Sequence, residues 1–476
     1  MPVAPLRVEP SAASLAAGLE RIRDELEIPA AFPPEVEEEA QDAARRGPSP
    51  LPGRHDRTGL SLVTIDPPGS RDLDQALLIE RRGDGHRVRY AIADVAALVR
   101  PGGAIDREAR ERGVTLYLPD RRTPLHPGVL GEGAASLLPG QDRPALLWTI
   151  DLDASGEAVD VALERATVRS RSALSYRQVQ DRIDAGTADE SLALLREVGE
   201  RRLSREAARG GVSLSVPAQE IERDGSGYRL RYETPLPVER WNAQVSLLTG
   251  ICAARLMLDG GVGLFRVLAP AEESALAGLR RSAAALGVPW GPGQPYPEVV
   301  RALDPGSPGH AAFAVRASRL YRGASYEAWA RAAGDPPPPH AAIAAPYAHV
   351  TAPLRRMADR VANEVVLALS EGGEPPAWAL EALPDMPDVM RRAGARERAA
   401  ERLALDYLES VLLAGRVGEV FDATVVDVRD DRPVVQIAEP AVVAGLDARG
   451  PRPGEALRVR LAEADPETRR VLFTPA

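Results

Sequence analysis

Apolar residues recur at helical spacing near the start of the chain. Leu15, Leu19, Ile22 and Leu26 share one face, Ser11 stands where an N-cap belongs, and Pro29 lies just past the end, so residues 11–27 are predicted to form an amphipathic helix. A second helix is expected over 34–46, and the Pro- and Gly-rich stretch 47–53 reads as a linker. Beyond it the period changes. Short runs of β-type composition, among them 60–65, 88–95 and 146–152, alternate with helical patterns such as 190–207 and 241–258. With no internal repeat, this mixture predicts an α+β domain, closed by a long helix at 386–414. After residue 415, short alternating runs at 421–428, 434–437, 456–461 and 470–473 predict a small OB-like barrel.

Composition narrows the function classes. The chain has 476 residues, 44% of them hydrophobic, enough for one large domain and a small appendage. Its formal charge is −10, the opposite of what an open basic nucleic-acid surface requires, so any nucleic-acid path must be local, such as an Arg-lined channel. All 59 basic residues are arginine, a bias that with 43 Pro points to GC-rich bacterial coding DNA. The single cysteine, Cys252, lies in an apolar helical pattern; it excludes an intramolecular disulfide and reads as a small core residue in a reducing cytoplasm. No basic-then-apolar leader is present, and the longest apolar region, 245–265, contains Arg255 and Asp259, so a buried helix is expected and no membrane span. The six histidines show no H-x(3)-H spacing, so His340 and His349 read as structural. Gly260-Gly261-Val262-Gly263 lacks the Lys of a phosphate-cradling loop, so no nucleotide cofactor is expected.

The chemistry concentrates in Thr64-Ile65-Asp66-Pro67-Pro68-Gly69-Ser70-Arg71-Asp72-Leu73-Asp74-Gln75. A strand running into a Pro-Pro-Gly turn and out again as extended chain puts Asp72 and Asp74 on one face, with Asp66 folded back towards them. Three anionic oxygen donors at that spacing suit a hard divalent cation such as Mg²⁺ or Mn²⁺ and phosphodiester hydrolysis. Asp beside Pro and Gly is also ordinary turn chemistry.

Taken in order, that strip, Ala91-Ile92-Ala93-Asp94-Val95, Arg112-Gly113-Val114-Thr115-Leu116-Tyr117-Leu118-Pro119-Asp120 and Tyr347-Ala348-His349-Val350-Thr351-Ala352-Pro353-Leu354-Arg355-Arg356-Met357-Ala358-Asp359 resemble the ribonuclease II family, and in particular its catalytic RNB domain. The resemblance runs from about residue 30 to the C-terminus. It implies a helical N-terminal segment and linker over 1–54, an RNB catalytic domain over 55–414 and an S1-like OB barrel over 415–476. The cold-shock barrels that precede the domain in other members have no room here, so a short form is expected.

The same resemblance implies a hydrolytic exoribonuclease that takes single-stranded RNA from the 3′ end and releases nucleoside 5′-monophosphates. Asp66, Asp72 and Asp74 fall on the acidic metal cluster, with Asp74 most critical for cleavage. The fourth acidic position is Gln75, whose neutral carboxamide keeps an oxygen donor but adds no charge. Arg355 falls on the arginine that stabilises charge on the scissile phosphate, a task suited to a bidentate, always ionised group. Read alone, Pro353 and the two arginines after it also fit a plain helix start. Tyr117 falls on a base-stacking tyrosine, with a core strand tyrosine as the alternative. Glu401 aligns with a helical glutamate near the 3′ nucleotide, and Gln244 stands in a stretch where a glutamate contacts its ribose. The expectation is therefore a cytoplasmic, monomeric, Mg²⁺- or Mn²⁺-dependent 3′-to-5′ exoribonuclease. The alternative is an attenuated protein of the same fold that binds RNA 3′ ends without degrading them, with Gln75 and Gln244 as its marks.

Overall fold

A computed structural model describes residues 12–48, 53–213, 218–224, 227–233, 235–304, 307–321, 323–429 and 432–476. Ser11 and positions 49–52 of the expected linker lie outside the described residues. The two N-terminal helices run Ala12–Glu25 and Pro34–Arg46. In the second, Pro stands in the first turn, where its missing N–H costs nothing, and acidic residues there complement the helix dipole.

A seven-stranded sheet organises the large domain, in the order His55–Asp56, Ala158–Arg169, Asp142–Leu152, Gly85–Ala93, Gln75–Arg82, Val63–Asp66 and Ser172–Ser175. The two outermost pairings are parallel and the rest antiparallel. Alternation sorts its residues by size. Val88, Tyr90, Ile92, Leu146, Trp148 and Ile150 face the main core, together with Leu195, Val245, Leu248 and Cys252 from helices Glu190–Ala208 and Pro237–Gly260. Ala91, Ala93, Ala145 and Leu147 face the opposite side, where Val36, Ala40 and Ala43 of helix Pro34–Arg46 pack against them. Small side chains on that face let the helix lie close.

Two further helices of the domain bear on the site. Met357–Ser370 is buried along most of its length. Met386–Leu413 covers the expected long helix. The mixed α/β fold agrees with the reading of the sequence, and the C-terminal segment is a closed five-stranded barrel in the order Val420–Arg429, Arg432–Ile437, Val442–Leu446, Arg470–Pro475, Ala456–Asp465. Val442–Leu446 was not foreseen, because its Val-Val-Ala-Gly-Leu run shows no alternation of apolar and polar residues. The barrel's two aromatics, Phe421 and Phe473, are buried against each other with ring centroids 5.9 Å apart, which leaves it no exposed aromatic among the described residues. Among the described residues no helix is long and apolar enough to cross a membrane.

Candidate active site

The acidic strip begins as strand and loses regular structure after Asp66. Ser70 N–H closes the turn on the Pro67 carbonyl at 3.2 Å, and Gly69 supplies the positive φ of 81° that the turn requires. Residues 70–74 are not a strand; Ser136 holds them instead. Its hydroxyl accepts the Leu73 N–H at 2.9 Å and donates to the Arg71 carbonyl at 2.6 Å. Strand structure resumes at Gln75.

Asp74 is 3% exposed. One oxygen accepts the Leu354 N–H at 2.8 Å, and the other lies 3.5 Å from Arg355 Nε. The segment that brings Leu354 and Arg355 there is neither helix nor strand, yet it is buried from Val350 to Leu354. A buried irregular backbone must find partners for its polar groups, and this one does. Asn363 donates to the Val350 carbonyl at 3.0 Å and Gln75 Nε2 to the Thr351 carbonyl at 2.6 Å. The Ala352 N–H donates to Asp359 at 2.7 Å, and Thr115 N–H donates to the Arg355 carbonyl at 3.0 Å. Asp359, fully buried, also receives both arms of Arg356 at 2.8 Å. Within 351–356 only Arg355 is exposed.

Burial pushes the Asp66 carboxyl up to about 6 and that of Asp74 up to about 8, against the opposing pull of Arg355. Asp66 Oδ2 is buried with no hydrogen-bond partner. Burial desolvates the Arg355 guanidinium, but Asp74, Tyr117 and Asp359 together outweigh that and hold it above its usual range. Above this floor opens a cleft of about 580 Å³ whose wall includes Tyr117, Arg266, Tyr326, Arg391, Glu397 and Arg398. Tyr117 is 49% exposed, and its hydroxyl donates to Asp72 Oδ2 at 3.0 Å.

Several expected placements differ. Asp72 stands within electrostatic reach of Asp66 and Asp74 and adds to the rise of both, but it is engaged elsewhere: Arg122 pairs with its other oxygen and in turn with Glu132 at 2.5 Å. Among the described residues no group of three or more His, Cys, Asp or Glu side chains is gathered to hold a metal. The Gln75 oxygen is already engaged within the protein, because Oε1 accepts the Tyr90 hydroxyl at 2.6 Å. Gln244 is 2% exposed and donates to Glu206 at 2.6 Å across the packed helices. Glu401 is exposed on the long helix one turn beyond the cleft, and Glu397 takes the wall position. Missed by the sequence reading were Glu397, Arg398 and Tyr326. A period-four search along 386–414 from Glu401 finds Glu397; nothing local marks Tyr326, whose hydroxyl bonds His349 Nδ1 at 2.6 Å. His349 is held neutral by burial and by the neighbouring Arg356 and Arg266, as its structural reading requires.

Comparison with known proteins agrees with this architecture. The RNB domain matches residues 54–371, and the RNase II-type exonuclease C-terminal S1 domain matches residues 419–476. Ribonuclease R of Escherichia coli K12 is 27% identical over 432 residues, which are 84% of this chain and 52% of that protein. The chain spans about half the length of the curated relatives it matches. Among solved structures, apo Mycoplasma genitalium RNase R superposes with a TM-score of 0.86 at 20% identity, covering 97% of this chain and 78% of the other. Yeast Ssd1, described as a pseudonuclease, gives 0.71 at 17% identity, covering 94% of this chain and 55% of its own. The RNB match covers well over half of the sequence, and this chain belongs to the RNB domain family, with an RNase II-type C-terminal S1 domain behind it.

Proposed function

We propose that the chain is a divalent-metal-dependent exoribonuclease that hydrolyses single-stranded RNA from the 3′ end to nucleoside 5′-monophosphates. One observation carries the reading: two buried, charge-starved carboxylates, Asp66 and Asp74, lie under an exposed arginine at the foot of an Arg- and Tyr-lined cleft. In this reading residues 55–414 do the chemistry, 415–476 add an RNA-binding barrel to the helical segment 1–54, and the protein acts as a cytoplasmic monomer without a nucleotide cofactor.

The donor set fits Mg²⁺ or Mn²⁺ in charge. An orphaned carboxylate oxygen on Asp66 and a strongly raised Asp74 are what a site short of positive charge shows. When bound, such an ion supplies Lewis-acid polarisation of the phosphate and acidifies water. The chain's own residues do the rest. Asp74, oriented by the Leu354 amide, positions the attacking water; Arg355 offsets charge on the phosphate as the bond breaks. The Tyr117 ring gives a sequence-blind platform for a base, and Arg266, Arg391 and Arg398 line the approach for the phosphate backbone. Asp72, paired with Arg122 and Tyr117, would complete the donor set.

The test is a time course on 5′-labelled single-stranded RNA in Mg²⁺ or Mn²⁺, with wild type beside Asp74→Asn. A ladder shortening from the 3′ end in wild type, slowed about 10³-fold or more by the substitution, is the expected outcome. A second reading, a binder of RNA 3′ ends that does not cleave, draws on the engagement of Asp72 by Arg122 and on the pseudonuclease neighbour. Intact RNA in both metals, with binding retained, selects it.

A further inference from the structure

We infer that Gln75 is a positioning residue: its carboxamide braces the 351–355 segment so that Arg355 and the Leu354 amide meet Asp74, and it holds no metal. The inference rests on the nuclease reading for its kinetic part only.

Gln75 is engaged at both ends. Nε2 donates to the Thr351 carbonyl and Oε1 accepts from the Tyr90 hydroxyl, each at 2.6 Å. Tyr90 is 1% exposed, so its hydroxyl needs an acceptor within the protein. A site that presents one acceptor and one donor suits an amide and rejects a carboxylate, which sets a second oxygen against the Thr351 carbonyl. The acidic residue that the family resemblance implies at this position is therefore incompatible with the contacts this chain makes.

The brace also acts where it matters for Arg355. Asp74 grips the Leu354 amide and Gln75 the Thr351 carbonyl, so two neighbouring residues hold the segment at points three residues apart. The Thr351 hydroxyl, 2.8 Å from that of Ser246, and the Asp359 bond to Ala352 secure the stretch from the far side. With Gln75 removed, the Thr351 carbonyl loses its partner and Tyr90 its acceptor, and both losses fall on the loop rather than on a cation. Replacement of an acid by glutamine is thus accounted for by a gained contact, without loss of the site.

The experiment compares wild type with Gln75→Met, which keeps volume and removes both hydrogen bonds without adding charge. Amide hydrogen exchange over 350–356, Mn²⁺ affinity by calorimetry, and kcat and KM on short RNA are measured, also in Arg355→Ala and in the double variant. The brace predicts exchange faster by about tenfold, an Mn²⁺ affinity within about twofold of wild type, and kcat lower by about tenfold with KM little changed. It also predicts that the kcat loss largely disappears in the Arg355→Ala background. Unchanged exchange with Mn²⁺ binding weakened about fivefold or more makes Gln75 a ligand and overturns the inference, as does a kcat loss that adds fully to that of Arg355→Ala. Should the wild type cleave no RNA, the nuclease reading fails while exchange and Mn²⁺ affinity still decide on the brace. If Gln75→Met does not fold, Tyr90→Phe frees one end of the amide and is expected to speed the same exchange; no change there also overturns the inference.

Discussion

Two irregular stretches meet at the catalytic floor, and they are built on opposite terms. The turn at 67–70 is exposed at Pro67, Pro68 and Gly69 and closes on a single backbone bond from Ser70 to Pro67. The loop at 350–356 is buried apart from Arg355 and the half-buried Arg356, and five of its seven residues have a backbone polar group held by a side chain or backbone elsewhere in the fold. The first has no such anchors of its own, and the acids that follow it are held from outside the turn by Ser136, Arg122 and the Leu354 amide. The second delivers an arginine whose backbone is fixed before substrate arrives. Preorganisation is therefore spent on the arginine that the proposed function sets against the phosphate, where misplacement would cost rate directly.

The sharpest way to break this contrast is Asp359→Ala. It leaves the half-buried Arg356 unpaired and the Ala352 amide without an acceptor, and is expected to cost about 3–5 kcal/mol of stability in denaturant unfolding. A loss under about 1 kcal/mol would show that the loop is not pinned as described. Next comes pH. In the metal-free protein Asp66 near 6 and Asp74 near 8 lie above the ordinary 3.8, so the folded form keeps protons the unfolded chain has released. The contribution of these two carboxyls to stability is then full below about pH 4 and is lost as pH rises through about 6 towards 8, on the order of 3 kcal/mol for Asp66 alone. Saturating Mg²⁺ is expected to flatten that slope; a metal-free curve that rises over the same range refutes the assignment of unpaid charge to this site. The smallest effect belongs to the turn. Nothing lies within 4 Å of a Cβ built at Gly69, so Gly69→Ala pays only for its φ of 81°, about 1 kcal/mol, with activity within about threefold of wild type.

The helices were the legible part of the fold, because their signals are local. Period and Pro placement located Pro34–Arg46 and Met386–Leu413 almost to the residue. The positions of Asp74 and Arg355 could be read from ordered motifs, and the structure brings them together. What escaped depends on partners far along the chain. Gln75 meets a carbonyl 276 residues away, and Asp72 is claimed by an arginine 50 residues on. Gln244 looked like a polar residue available to a ligand, since a helix pattern does not say that the facing helix offers Glu206. Glu401 is exposed one turn beyond Glu397, the glutamate that lines the cleft, and which of the two faces it depends on neighbours that a helix pattern alone does not name.

The helix Met386–Leu413 has 28 residues and so is about 42 Å long. Its first half, from Pro387 to Arg398, walls the cleft, and further along it Glu409 accepts the Val443 amide of the barrel at 3.0 Å. A stiff lever joins the two, about 18 Å apart along its axis between Glu397 and Glu409. One continuous helix thus ties the position of the barrel at Val443 to that of the cleft wall, so the two cannot shift independently along its axis.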